Sequence, residues 1–148
     1  MKQVILLSTL AVAGLLVSCG KNNPKPKTDS QLLMGQTWTL TDETEQLGTA
    51  APVSTFNAYA ACKKDNTLKF QASSVMSMDE GTVRCTPTAA QGLEGVWSVA
   101  GQYLTYMILG YDGGSWEIEE LNDAQFVLSA TATTNGVKLV VRRTYTAI

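Results

Sequence analysis

The chain has 148 residues with 11 basic and 13 acidic side chains, a net charge of −2, 45% apolar residues and no histidine. That length supports a single core, and an acidic balance without a basic stripe removes nucleic acid from the expected partners. The missing histidine removes the Ser-His-Asp arrangement and the commonest general base.

At the N-terminus Lys2 gives a positive start, Val4 to Val17 an uncharged apolar run, and Ser18 a small residue ahead of Cys19. The run is shorter than the roughly 20 apolar residues that cross a bilayer, so residues 1 to 18 read as a secretory signal peptide. Leu16-Val17-Ser18-Cys19 resembles the lipobox of bacterial lipoproteins. As that resemblance implies, Cys19 becomes the first residue after cleavage, with diacylglycerol on its thiol and a third acyl chain on its amine. Two or more acyl chains hold a protein stably at a membrane, so the membrane is the expected partner, through the lipid anchor. Gly20 after the cysteine, in place of an aspartate, resembles lipoproteins sent to the outer membrane, and Gly20 to Thr28 holds no acidic cluster of the kind that marks surface export. The expected location is the cell envelope, at the outer membrane facing the periplasm. Residues 19 to 29 then serve as a lipidated cysteine and flexible tether, carrying Pro24, Pro26 and three lysines and no core-forming side chain.

Residues 30 to 148 read as one mostly β domain. Ser30 to Met34 is expected as a short helix, capped by Ser30 and ended by Gly35. Thr37 to Leu40 alternates, with Trp38 and Leu40 on one face, and the acidic cluster Asp42, Glu43 and Glu45 follows in what reads as a solvated loop from Thr41 to Val53. Ser54 to Ala61 is a weak helical turn leading into Cys62, and Leu68 and Phe70 alternate again around Lys69. From there turn signals recur at short intervals: Asp79-Glu80-Gly81, Ala100-Gly101, Asp112-Gly113-Gly114, Asn122-Asp123 and Asn135-Gly136. They separate strands expected at Gly95 to Ala100, Gln102 to Leu109, Ser115 to Leu121, Gln125 to Thr131 and Val137 to Thr144, a consecutive antiparallel meander. Closing such a meander into a barrel removes its unpaired edges.

With Cys19 assigned to lipid, Cys62 and Cys85 are left as an even pair. Outside the cytoplasm a disulfide between them persists. Metal binding is the alternative, and two cysteines without a histidine make a poor zinc site. No metal and no cofactor is expected.

The chain also resembles the lipocalin-like domain of small lipoproteins from Bacteroidetes. The resemblance rests on the order and spacing of Leu32-Leu33-Met34-Gly35-Gln36-Thr37-Trp38, Cys62-Lys63-Lys64-Asp65-Asn66-Thr67-Leu68-Lys69-Phe70, Asp79-Glu80-Gly81-Thr82 leading to Cys85, Gly95-Val96-Trp97-Ser98, and Ile118-Glu119-Glu120-Leu121 before Phe126-Val127-Leu128-Ser129. It implies an all-β, antiparallel, up-and-down barrel of about eight strands, a short N-terminal helix at its entrance and a Cys62 to Cys85 bridge. True lipocalins open their first strand with Gly-x-Trp, whereas two residues separate Gly35 from Trp38 here. Arg142 and Arg143 are the candidates for a cation-π partner of Trp38.

No catalytic set is recognisable, and no enzymatic activity is expected. Asp112-Gly113-Gly114 lacks the lysine of a phosphate loop. Glu117 and Glu119 share one face of an expected strand and read as its solvent side rather than as a glycosidase pair. The ligand-binding candidates are Tyr106, Trp116 and Phe126, aromatic residues on separate strands of a barrel whose interior is either filled or roomy enough for one small ligand. The expected function is binding of a small hydrophobic or amphipathic molecule in the cell envelope. The alternative is an interaction module with a filled barrel, meeting a protein or polysaccharide through loops such as Thr41 to Val53 and Tyr111 to Ser115. Interior volume discriminates: about 300 Å³ or more fits a carrier, and nothing above a water-sized void leaves only the outer surface.

Overall fold

The structure is a computed structural model describing residues 25 to 148. The expected signal peptide, Cys19 and the first part of the tether lie outside the described residues.

A helix α1 (Asp29–Met34) precedes β1 (Thr37–Leu47), and a two-residue β2 (Val53–Ser54) pairs with the far half of β1. A single 3-10 turn at Phe56–Ala58 and α2 (Ala61–Lys64) lead into β3 (Thr67–Phe70), β4 (Val75–Asp79) and β5 (Gly92–Ala100). The meander continues through β6 (Tyr103–Ile108), β7 (Asp112–Leu121), β8 (Gln125–Thr134) and β9 (Val137–Ala147). Each strand pairs antiparallel with the next from β3 to β9, and β1 pairs with both β3 and β9. Eight strands therefore close an up-and-down barrel, with β2 as an appendage on β1.

The strand order follows from local signals. Asn135 and Gly136 both take positive φ, 53° and 78°, which a tight β8–β9 hairpin demands. Gly95 has no side chain because a Cβ there would come within 2.4 Å of the Met107 carbonyl on β6. Period-two alternation sends Leu104, Tyr106 and Ile108 inward along β6 and leaves Tyr103, Thr105 and Met107 on the surface.

Two bulges alter that alternation. On β1 the pairing slips at Thr41, so that Leu40 faces Tyr145 and Glu43 faces Arg143. Leu40 and Glu43 thus both point inward, although they stand three residues apart. On β7 the slip falls at Glu119, which brings Ile118 and Leu121 to the inside together, opposite Leu128 and Phe126.

One end of the barrel is filled. Phe126 stacks on Tyr145 with centroids 4.4 Å apart and meets the edge of Trp38 at 4.8 Å; Phe70 meets Trp97 at 5.2 Å. The Trp38 indole donates to the Leu33 carbonyl at 2.9 Å, fastening α1 across this end. The helix starts one residue earlier than Ser30, because Thr28 and Gln31 form a capping box in which each side chain satisfies the other's backbone N–H. A capping box requires the acceptor three residues after the cap, and Gln31 stands three after Thr28.

Three further expectations are corrected. The Thr41 to Val53 loop is strand as far as Leu47, because β1 finds a full-length partner in β9. The Tyr111 to Ser115 loop is strand from Asp112 onward, paired with β6. Neither arginine lies over Trp38; Arg143 instead covers Trp116, with its guanidinium carbon 4.4 Å from the ring centroid.

Candidate functional site

At the end opposite α1 the barrel carries an open pocket. Strand β7 pairs with β8 only from Glu117 to Leu121, so Asp112 to Ser115 and Ala130 to Thr134 are not bonded to each other and the wall parts there. A cavity of about 440 Å³, open to solvent, lies at this end. Its apolar side is formed by Leu40, Leu68, Met78, Ile108 and the ring of Tyr145. Tyr59, Lys63, Tyr111, Asp112 and Arg143 supply the polar side.

Arg143 organises that polar side. Its Nε donates to Glu43 Oε2 at 2.6 Å, and its Nη1 donates to Asp112 Oδ2 at 2.6 Å and to the Tyr106 hydroxyl at 2.8 Å. Tyr106 in turn donates to Asp112 at 2.7 Å, and Tyr59 donates to Glu43 Oε1 at 2.6 Å. Four strands, β1, β6, β7 and β9, meet through one guanidinium. The Glu43 side chain is 7% exposed and that of Arg143 16%, so both charges are held away from bulk water.

Burial penalises the Glu43 carboxylate, but the Tyr59 hydroxyl and Arg143 outweigh it and hold its pKa below the usual value. Burial lowers the affinity of Arg143 for its proton, and the tyrosines and Asp112 around it more than restore it, so the guanidinium stays charged. Tyr106 is pushed up chiefly by burial, and Tyr145 reaches about 12 for the same reason. Both hydroxyls therefore stay protonated at physiological pH, and Tyr106 donates its hydrogen bond to Asp112.

The mouth is held by a second set of contacts. Cys62 on α2 and Cys85 form a disulfide with Cα atoms 5.0 Å apart, and Cys85 lines the cavity. The Asn66 amide, oriented to satisfy both of its ends, accepts from Tyr111 at 2.6 Å and donates to the carbonyls of Cys62 at 2.9 Å and Glu80 at 3.2 Å. Asp65 accepts the backbone N–H groups of Thr82 and Val83 through one oxygen, at 2.8 and 2.9 Å. Together they pin α2, the segment after β4 and the turn before β7 around one opening.

None of Tyr106, Trp116 and Phe126 lines the cavity. Phe126 belongs to the filled end, on Trp38 and Tyr145. Tyr106 and Trp116 both touch Arg143, one through its hydroxyl and the other under the guanidinium, and so stand directly behind the cavity wall. Glu117 and Glu119 have separate partners: Glu117 accepts from Gln102 at 2.9 Å and Glu119 pairs with Arg142 at 2.7 Å. The acidic cluster divides too, with Asp42 accepting from Ser54 and Glu43 turned inward. Glu43 and Arg143 are the site residues that reading the sequence missed. A signal for Arg143 was present, because it falls in the same alternating series as Leu139, Val141 and Tyr145. Among the described residues no cluster of three or more Cys, Asp or Glu is arranged to hold a metal ion.

No protein-family model matches the chain, and no curated protein matches it.

Proposed function

We propose that this protein is a lipid-anchored, lipocalin-like lipoprotein of the Bacteroidetes type, without enzymatic activity, that binds a small amphipathic molecule at the open end of its barrel. The cavity carries this reading. Its volume of about 440 Å³ falls within the range of small-molecule pockets, and its walls divide into an apolar side and a polar side that orient a ligand. An interaction module with a solid barrel has no use for a void of that size. Burial of the ligand's apolar portion against Leu40, Leu68, Met78 and Ile108 drives binding. The anchor rests on the sequence from Lys2 to Cys19 and places the cavity in the cell envelope.

The test is extraction of the natively purified, full-length protein with organic solvent, followed by mass spectrometry of both fractions. A co-purified small molecule and an acylated N-terminal Cys19 are the expected results. An empty extract, together with no change in tryptophan emission across a lipid and bile-acid panel, overturns the binding role; a chain starting elsewhere with an unmodified amine overturns the anchor.

A further inference from the structure

The charges around the cavity point to the class of ligand. Arg143 is already matched by Glu43 and Asp112, each at 2.6 Å, so this partly buried trio carries one positive and two negative formal charges. The remaining charged groups at the mouth do not reverse that sign. Glu80 lies beside Arg84, with 3.9 Å between Oε2 and Nε, and these two cancel. Asp65 accepts from backbone and hydroxyl donors, which stabilise its charge without cancelling it. Lys63 is exposed, 6.0 Å above the Tyr59 ring, where solvent screens it. Lys64 turns away, donating to the Asn57 carbonyl and covering Phe56. The uncompensated charge of the trio is therefore negative.

Resting on the carrier reading above, we infer that the cavity takes an organic cation, an amine-headed amphiphile whose ammonium faces Asp112 and whose apolar body lies along Leu68, Met78 and Ile108. Asp112 is the accessible member of the trio, with 28% of its side chain exposed against 7% for Glu43. An ammonium beside it brings the trio to neutrality. Tyr59, Tyr111 and Tyr145 line the same space. A carboxylate-headed ligand meets the opposite situation: Arg143 is engaged by two anions, and a third anion beside them in a low-dielectric pocket is repelled.

Calorimetric titration of the full-length protein in phosphatidylcholine nanodiscs with octylamine, octanol and octanoate at pH 7, corrected with empty nanodiscs, tests this. The expected order is octylamine tightest, by about tenfold or more over octanol, with octanoate weakest. Asp112→Asn is expected to bring octylamine to within about threefold of octanol, both measured in the variant. Octanoate binding as tightly as octylamine, or an amine preference that survives Asp112→Asn, overturns the cation inference and leaves the carrier role standing. Binding of none of the three, with no small molecule in the native extract, removes the carrier role and the cation inference with it.

Discussion

Glu43 on β1 and Arg143 on β9 stand directly opposite each other in the strand pairing, and their side chains meet at 2.6 Å inside the barrel. The bulge at Thr41 makes this meeting happen, because without the extra residue Asp42 would take the inward position. A single backbone irregularity thus selects Glu43, rather than Asp42, as the inward carboxylate that meets Arg143.

Breaking that pair by Arg143→Met leaves Glu43 buried without its cation. The expected loss of stability is about 3 kcal/mol, the lower end for a buried pair, since Arg143 borders the open mouth. Urea denaturation measures it. The double variant Glu43→Gln, Arg143→Met is expected to recover part of the loss, and a single-variant loss below about 1 kcal/mol contradicts the arrangement.

Acid stability follows from the same carboxylate. The folded pKa of Glu43 lies below its unfolded value near 4.5, so its contribution is complete above that pH and is lost as pH falls through the folded value. On the alkaline side Tyr145 is raised from 10 to about 12, so its contribution is complete below pH 10 and is lost as pH rises toward 12. The expected profile is a plateau between these limits, with an acid limb that becomes shallower in Glu43→Gln. Denaturation midpoints across pH 3 to 11 test both limbs.

Reducing the Cys62–Cys85 bridge, which spans 23 positions, is expected to cost about 3 kcal/mol on the chain-entropy model and to leave the barrel intact, since the strand pairing does not depend on it. Thermal melts with and without a dithiol reductant read the difference, and circular dichroism reads the retained sheet. Loss of the sheet signal on reduction contradicts this division of labour.

Phe126 marks the filled end, so Phe126→Ala is expected to lower stability by about 3 to 5 kcal/mol while leaving affinity for an amphipathic ligand unchanged in the molecules that remain folded. Chemical denaturation and calorimetry on the same preparation separate the two effects. A stable variant with lost binding would place the ligand at the wrong end of the barrel.

Much of the architecture was legible because it is written in local signals. Asn135-Gly136 marks a hairpin, and the alternation of Leu104, Tyr106 and Ile108 marks a half-buried strand. The disulfide followed from counting cysteines once Cys19 was set aside. The site was less legible, for physical reasons. A bulge at Thr41 has no residue signature, so Glu43 looked like one member of a solvated acidic run. The cavity itself is lined by residues scattered from Leu40 to Tyr145, and such a gathering leaves no mark on any single strand. Aromatic content alone does not separate the two ends: Phe126 packs on Trp38 and Tyr145 at the filled end, while Tyr59 and Tyr111 border the open space with Leu40 and Ile108.

The most direct measurement is calorimetric titration of octylamine into the full-length protein in nanodiscs and into its Leu40→Trp variant, which sets an indole into the cavity from β1. Leu40 borders the void and is only partly buried, so the larger ring enters open space rather than packed core. Saturable one-to-one binding in the native chain, weakened at least about tenfold in the variant with an unchanged melting temperature, is the expected result. Equal affinity in both contradicts the assignment of this cavity as the ligand site, and no binding in either overturns the amine preference.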